Sequence, residues 1–235
     1  MNGRGEGKRL LPVCLLFLLA QPAAWAAEVT FCPLPGMRAG TNVESLLERR
    51  WKHVARQGLD ISCGSAALAT ILQYQFGEQI TEEALIRAIL TSVSQSDVNA
   101  RGGFTLLDLK RAATDLGYTV HGYKLTYERL IGLNTPTLVP VIIRGYKHFV
   151  VFRGTINDRV ILADPSFGNL LAPDFLFQSI WQDIALVIKG KDNGPMPAQL
   201  NVDVSDFHVA DTQEALSSFL HGDFLNGIEV DPDEF

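Results

Sequence analysis

Cysteine and clustered basic residues are both scarce in this chain. Only three cysteines occur among its 235 residues, and no group of Cys and His has the spacing of metal ligands, so we expect no metal site and no cofactor. The formal net charge is −6, and the 20 Lys and Arg residues form no patch that could follow a phosphate backbone, so nucleic acid is not an expected partner. Internal repeats and low-complexity tracts are also lacking, and the 47% hydrophobic content predicts one globular domain with terminal additions.

Long apolar runs are equally rare. The longest, residues 10–20, is too short to span a bilayer comfortably; basic residues precede it and an Ala-Trp-Ala triplet at 24–26 follows it. This order is typical of a secretory signal peptide, so we predict that residues 1–26 are removed, that the mature protein begins at Ala27, and that it is periplasmic. An uncleaved membrane anchor is the alternative. After cleavage we expect no integral membrane segment.

Signal cleavage would leave two cysteines, Cys32 and Cys63, in an oxidising compartment. Cys32 lies in the proline-rich stretch FCPLPGM, which predicts an extended lead-in rather than a packed element. The sequence alone leaves open whether the two cysteines form a disulfide. The answer matters because a bonded Cys63 could not act as a nucleophile.

Helical patterns come first along the chain and strand patterns later. Helices are predicted at NVESLLERRW, from Cys63 to Phe76, at TEEALIRAIL and at TLLDLKRAATDLG, where Thr105 and Asp108 have the spacing of a capping box. Strands are predicted at YTVHGYKL, TLVPVII, KHFVVFRG, DRVILADP and DIALVIKG, with short helices at TYERLIGL and DFLFQSIW. Helices gathered before mostly antiparallel strands predict an α+β fold rather than a doubly wound one.

These patterns divide the mature chain into three parts. We assign residues 27–50 to a lead-in segment and the start of the first helix, 51–190 to the globular domain, and 191–235 to a linker and acidic tail. From residue 200 to residue 235 there are nine acidic residues and no Lys or Arg, which is typical of a solvated tail. Apolar residues at helical spacing between 214 and 228 leave open whether the tail docks on the domain or binds a partner.

A cysteine marks the point at which a polar loop becomes a helix, in RQGLDISCGSAALATIL. The exposed N–H groups and the dipole of a helix start favour a thiolate, which makes Cys63 a candidate nucleophile. Gly64 would give the backbone freedom for a substrate to approach. Gln57, six residues earlier, could donate to an oxyanion beside the backbone N–H of Cys63. A small buried cysteine that happens to begin a helix is the alternative.

A nucleophilic thiol needs a base, and His148 is the histidine that begins an apolar strand, in GYKHFVVF. A ring at the mouth of a buried strand can face a cleft while the strand holds it rigid. Asp164 ends the next predicted strand, in VILADPSFG, so both side chains emerge at the same end if the strands are neighbours. Cys63, His148 and Asp164 would then be nucleophile, base and orienting group. A surface histidine and an ordinary Asp-Pro turn are the alternatives.

These segments occur in a recognisable order: Gln57, then Cys63-Gly-Ser-Ala-Ala-Leu, then HFVVF and ADPSFG. In this order the chain resembles, over residues 57–189, the bacteriocin-processing family of papain-like cysteine peptidases, whose best-known members cleave leaders after a double glycine. The resemblance implies a papain-like fold with N-terminal helices packed on the sheet. It also implies that Cys63 is the nucleophile, His148 the general base, Asp164 the orienting residue and Gln57 part of the oxyanion hole.

Two features differ from the exporter-linked members of that family. Ser62 stands where many of them have an acidic residue, and the predicted signal peptide indicates export. The layout is similar to stand-alone cysteine proteases of functional amyloid (Fap) secretion systems, which implies an extended polypeptide substrate such as an amyloid subunit or another secretion-system protein. Two other interpretations stay open: a non-catalytic, chaperone-like module that holds a peptide in the cleft, and a papain-like acyltransferase.

Overall fold

The computed structural model describes residues 27–31, 39–43, 45–191 and 199–201. The first two ranges are strands β1 (Ala27–Phe31) and β2 (Ala39–Val43), which pair antiparallel within an N-terminal unit of their own. The sequence predicted an extended lead-in at this point and not the pairing. The predicted signal peptide and Cys32 lie outside the described residues, as does almost all of the acidic tail.

In the described part of the chain, five helices precede the main sheet. They are α1 (Leu46–Arg50), α2 (Cys63–Tyr74), α3 (Glu82–Ile89), α4 (Gln95–Arg101) and α5 (Leu106–Asp115). Side-chain caps mark the start of four of them, α1, α3, α4 and α5; in α5, Thr105 and Asp108 form the predicted capping box. Helix α2 is different, because it is buried continuously from Cys63 to Leu72, and a helix that is covered on every side lies inside its domain.

The later part of the domain is a six-stranded antiparallel sheet with the order β3-β8-β4-β5-β6-β7. Its strands and the remaining helices are β3 (Thr119–Lys124), α6 (Tyr127–Gly132), β4 (Thr137–Ile143), β5 (Tyr146–Ile156), β6 (Arg159–Asp164), β7 (Gly168–Pro173), α7 (Asp174–Ile180) and β8 (Ile184–Lys189). Strand β8, the last in sequence, lies between β3 and β4. This arrangement confirms the predicted α+β architecture.

Helices cover both faces of this sheet. On one face, side chains that include Phe149 and Val151 of β5 pack with α2, α3, α4 and α5. On the other face, Val150 and Phe152 pack with α6 and α7. Because consecutive residues of β5 are buried on opposite faces, its sequence is continuously apolar rather than alternating.

Two elements of the globular domain were missing from the sequence prediction. Helix α4 buries only Val98 and therefore shows no apolar stripe; the Ser94 cap and the left-handed Gly102 define its ends. Strand β7 follows the Asp-Pro turn directly and pairs with β6 along its whole length. Gly168 begins this strand with φ +80°, and a Cβ there would collide with the carbonyl of Arg50, so this turn requires glycine.

Residues 199–201, within the segment predicted as linker and tail, dock on the domain. The backbone N–H of Gln199 donates to the carbonyl of Tyr74 at 3.0 Å, and Leu200 is completely buried in the helix-side core. The buried guanidinium of Arg153 donates to the carbonyl of Leu200 at 3.0 Å and to that of Asn201 at 3.2 Å. The chain therefore returns to the domain after β8 and is held there by both apolar and polar contacts.

We predict that this docked segment contributes to the stability of the domain. Replacing Leu200 by Ala should lower the free energy of unfolding by about 2–5 kcal/mol, because it leaves a cavity in the core. The matched control is Leu107→Ala on α5, where the side chain is 52% exposed; its effect should stay within about 0.5 kcal/mol. Urea denaturation measures both values, and equal effects of the two substitutions would show that residue 200 is not anchored.

Candidate active site

Cys63 is the first residue of α2, and Ser62 is the residue at its N-cap. The thiol of Cys63 is free, and this residue is only 9% exposed, so it lies at the edge of the hydrophobic core and not on the open surface. Because Cys63 carries no disulfide in the structure, its sulfur is available for chemistry. The unpaired N–H groups at the start of α2 give this position the positive end of the helix dipole.

Gly64 has a packing role that the sequence did not suggest. A Cβ on this residue would lie 3.0 Å from Cδ1 of Leu109 and 3.1 Å from Cδ2 of Phe149. The space that a Cβ of Gly64 would occupy is thus taken up by side chains of α5 and β5. A larger residue at this position would require Leu109 and Phe149 to shift by a few tenths of an ångström.

His148 and Asp164 form a buried pair at the ends of neighbouring strands. Nε2 of His148, near the start of β5, lies 2.9 Å from Oδ2 of Asp164, the last residue of β6. His148 also forms a side-chain hydrogen bond with Cys63. Since Asp164 occupies Nε2, the nitrogen that faces the thiol is Nδ1. The structure thus brings together the three residues singled out as nucleophile, base and orienting group.

Asp164 is held by backbone groups as well as by His148. Its Oδ1 accepts hydrogen bonds from the N–H of Ser166 at 2.7 Å and of Phe167 at 3.1 Å. This is the local turn that an Asp-Pro sequence favours, in which the carboxylate binds the backbone two and three residues later. The fully buried carboxylate therefore has hydrogen bonds on both oxygens, which compensates the cost of removing it from water.

Asp164 also controls the protonation of His148. Burial alone lowers the pKa of His148, because it desolvates the cation. The negative charge of Asp164 and the hydrogen bonds with Asp164 and Cys63 act in the opposite direction and raise the pKa from 6.5 to about 10. At neutral pH the ring is therefore an imidazolium that lies next to the sulfur of Cys63.

Gln57 lies on the loop before α2 and is joined to the turn after Asp164. Its backbone N–H donates to the carbonyl of Pro165 at 3.0 Å, and its Oε1 accepts from the hydroxyl of Ser166 at 2.8 Å. Its Nε2 is 3.3 Å from the carbonyl of Leu59. Ser166 therefore links Gln57 to the carboxylate of Asp164, a connection between residues more than one hundred positions apart that no local sequence signal indicates.

The remaining candidate groups lie elsewhere. His121 is exposed on β3, which β8 and β4 separate from β5 in the sheet, and the ring of His53 packs against Tyr74. His208 and His221 fall outside the described residues. Within the described ranges, no cluster of His, Cys, Asp and Glu could hold a metal ion, and no helix is long and apolar enough to cross a membrane.

Comparison with curated proteins relates the chain to two amyloid-system proteins. It is 35% identical over 229 residues to the "Probable functional amyloid protease FapD" of Pseudomonas fluorescens, which covers 92% of this chain and 100% of that protein. It is 36% identical over 182 residues to the protein of the same name from Pseudomonas aeruginosa, which covers 76% of this chain and 80% of that one.

The fold has a counterpart among solved structures, and a family model covers the domain. The peptidase domain of Streptococcus ComA, described as a bi-functional ABC transporter involved in quorum sensing, superposes with a TM-score of 0.50 at 25% identity, over 57% of this chain and 96% of that one. The model of the peptidase C39 family matches residues 51–193, which include Cys63, His148 and Asp164. The chain therefore belongs to the peptidase C39 family and is a cysteine peptidase.

Proposed function

We propose that this cysteine peptidase cleaves an exported polypeptide with Cys63 as nucleophile, His148 as general acid and base, and Asp164 as the residue that orients His148. The observation that supports this assignment is the unbroken set of contacts from Asp164 through His148 to Cys63 at the start of α2. Nucleophile, base and orienter in hydrogen-bond contact are the arrangement that covalent catalysis requires.

In the acylation step, the thiolate of Cys63 attacks the carbonyl carbon of the scissile peptide bond, and the carbonyl π electrons move onto oxygen. The tetrahedral intermediate collapses when its C–N bond breaks and the imidazolium of His148 gives its Nδ1 proton to the departing amine. The products are a thioester on Cys63 and a free amino terminus. The raised pKa of His148 suits this step, because the proton is already on the ring when the amine leaves.

In the deacylation step, neutral His148 takes a proton from a water molecule as the water oxygen attacks the thioester carbon. The C–S bond then breaks, which releases a carboxylic acid and returns the thiolate–imidazolium pair. Asp164 stabilises the cation on His148. With water as the acceptor, the overall reaction is hydrolysis of the peptide bond.

Gln57 is proposed to stabilise the oxyanion together with the backbone N–H of Cys63. The N–H of Cys63 lies at the start of α2, where the helix dipole also favours negative charge, and Gln57 lies on the loop that leads into this helix. Ser166 donates to Oε1 of Gln57, and this hydrogen bond leaves the Nε2 end of the amide as the donor end.

The proposed setting is the periplasm of a bacterium that exports functional amyloid. Residues 1–26 have the order of a signal peptide, and the two Pseudomonas proteins that match the chain over most of its length bear the name of functional amyloid proteases. The proposed substrate is an extended segment of an amyloid subunit or of another protein secreted with it. Incubating the mature protein with such co-secreted polypeptides, with Cys63→Ser as the inactive control, tests this proposal directly by mass spectrometry.

We predict that His148 and Asp164 act as one unit. Replacing His148 by Ala should lower peptide hydrolysis by about 10⁴-fold or more, because the thiol loses its base and the amine its acid. Asp164→Ala should leave a slower but measurable enzyme, and the double variant should be little worse than His148→Ala. Steady-state kinetics on a cleaved peptide, with circular dichroism to verify folding, measure this. If the losses of the two single variants multiply in the double variant, or if His148→Ala is fully active, the base is a different residue.

Gln57 should affect turnover more than substrate binding. An oxyanion donor acts on charge that exists only as the tetrahedral state forms, so Gln57→Ala should lower kcat by about 10²–10³-fold with little change in KM. Gln73→Ala on α2 is a matched control on the same helix as Cys63 but near its other end. An unchanged kcat with a raised KM would assign Gln57 to substrate binding.

The raised pKa of His148 also predicts how stability depends on pH. A group whose pKa is higher in the folded state than in the unfolded state stabilises the fold fully below the unfolded pKa. The contribution of His148 to the free energy of unfolding should therefore be lost as the pH rises from 6.5 to about 10. The difference in unfolding free energy between wild type and His148→Gln, measured by urea denaturation across this range, should shrink with pH; a constant difference would contradict the assignment.

A further inference from the structure

A buried carboxylate outside the triad contacts the loop that leads to the nucleophile. Glu82, the first residue of α3, is only 6% exposed. Its Oε2 accepts a hydrogen bond from the N–H of Gly58 at 2.8 Å, and its Oε1 accepts one from the hydroxyl of Ser62. These two contacts lie at the two ends of the segment that joins Gln57 to Cys63.

Ser62 is oriented toward Glu82 instead of toward its own helix. A serine at an N-cap ordinarily accepts a hydrogen bond from the second or third backbone N–H of the helix. Here the side chain makes no such cap. Its hydroxyl accepts from the N–H of Leu59 at 3.2 Å, and its one proton lies between two acceptors, Oε1 of Glu82 and the carbonyl of Leu59 at 2.7 Å. The first turn of α2 is therefore left without a side-chain cap, and Ser62 holds the preceding loop.

The burial of Glu82 is not explained by the start of α3 alone. Acidic residues favour the first turn of a helix, but the neighbouring Glu83 supplies such a charge from an exposed position. A buried carboxylate is costly unless it is hydrogen-bonded. The N–H of Gly58 and the hydroxyl of Ser62 donate to Glu82 and so compensate the cost of burying it. The same hydrogen bonds hold these two residues of the loop in one arrangement.

We propose that Glu82 is a positioning residue for the oxyanion hole: it holds the loop so that Gln57 and the backbone N–H of Cys63 keep a constant separation. The turn after Asp164 holds the other side of Gln57, through the carbonyl of Pro165 and the hydroxyl of Ser166. The hydrogen bonds of Glu82 join it to Gly58 and Ser62 of the loop rather than to a member of the triad. This inference rests on the proposed function of Gln57 and Cys63.

Two probes that react with the thiol of Cys63 can separate an effect on the oxyanion hole from an effect on the reactivity of the thiol itself. Acylation of Cys63 by an N-blocked glycine p-nitrophenyl ester passes through a tetrahedral oxyanion and is followed by the release of p-nitrophenolate. Alkylation by iodoacetamide displaces iodide at a saturated carbon and forms no oxyanion. Because a displacement of about 1 Å can cost about 10²-fold in rate, Glu82→Ala and Ser62→Ala should lower the acylation rate about 10- to 100-fold. Both should leave the alkylation rate unchanged.

A conservative variant separates hydrogen bonding from charge. In Glu82→Gln, the amide carbonyl can still accept from the N–H of Gly58, and the amide nitrogen can donate to the hydroxyl oxygen of Ser62. This variant should retain most of the wild-type acylation rate. Glu83→Ala is the matched control: it removes an exposed acid from the same turn of α3 and should change neither rate.

Each outcome supports or overturns one defined statement. If Gln57→Ala acylates as fast as wild type, the proposed oxyanion role of Gln57 fails. If Gln57→Ala is slow while Glu82→Ala and Ser62→Ala are as fast as wild type, only the inference about Glu82 fails. Equal losses of acylation and alkylation, or a loss in Glu82→Gln as large as in Glu82→Ala, would also overturn it.

The double variant Gln57→Ala/Glu82→Ala completes the test. If Glu82 acts through Gln57, the double variant should acylate no more slowly than Gln57→Ala alone, whereas independent effects would multiply and contradict the inference. Should Glu82→Ala fail to fold, Ser62→Ala decides the question, because it removes one of the two contacts and leaves the contact between Glu82 and Gly58 in place.

Discussion

The hydrogen bond between Asp164 and His148 is the interaction on which the rest of the site depends. A carboxylate with no exposure to water persists only where its environment supplies donors, and here His148 and two backbone N–H groups do so. The same contacts determine the turn after β6, the orientation of the imidazole and its charge. The ring can present Nδ1 to Cys63 because Nε2 is already occupied.

A second consequence of Asp164 is the position of the loop before α2. The turn after Asp164 holds Gln57, and Glu82 holds the residues between Gln57 and Cys63. Two buried carboxylates thus hold the same loop: Glu82 binds it directly, and Asp164 binds it through the turn that contains Ser166. The nucleophile needs less support of this kind, because α2 is enclosed by the core along most of its length.

The parts of the site that could be predicted from the sequence have local signatures. Cys63 follows a polar loop at a helix start, His148 opens an apolar strand, and Asp164 stands in an Asp-Pro turn. Each of these signatures depends only on residues close to it in sequence, and the same is true of the helix caps and of the apolar strands of the sheet. Their combination in one order also carries the resemblance to the C39 peptidases.

The parts that could not be predicted depend on pairs far apart in sequence. Glu82 has an ordinary explanation as an acid in the first turn of a capped helix, and its burial against Ser62 leaves no trace in that pattern. Arg153 of β5 binds the carbonyl of Leu200, which is 47 residues later in the sequence. Leu200 lies in a stretch whose composition is typical of a linker and tail. Helix α4 and strand β7 were missed because one lacks an apolar face and the other is defined by its pairing with β6.

The place of β8 between β3 and β4 has a consequence for how the chain folds during synthesis. Strand β3 is the first strand of this sheet in sequence, yet its pairing partner β8 is the last, and residues 125–183 are synthesised between them. Until Lys189 has been made, the facing edges of β3 and β4 have no strand to join them. The insertion of β8 between β3 and β4 is therefore a late step. It forms contacts between residues far apart in sequence, and such contacts make folding slow. A nascent chain that already contains Cys63, His148 and Asp164 still lacks the strand that completes the sheet.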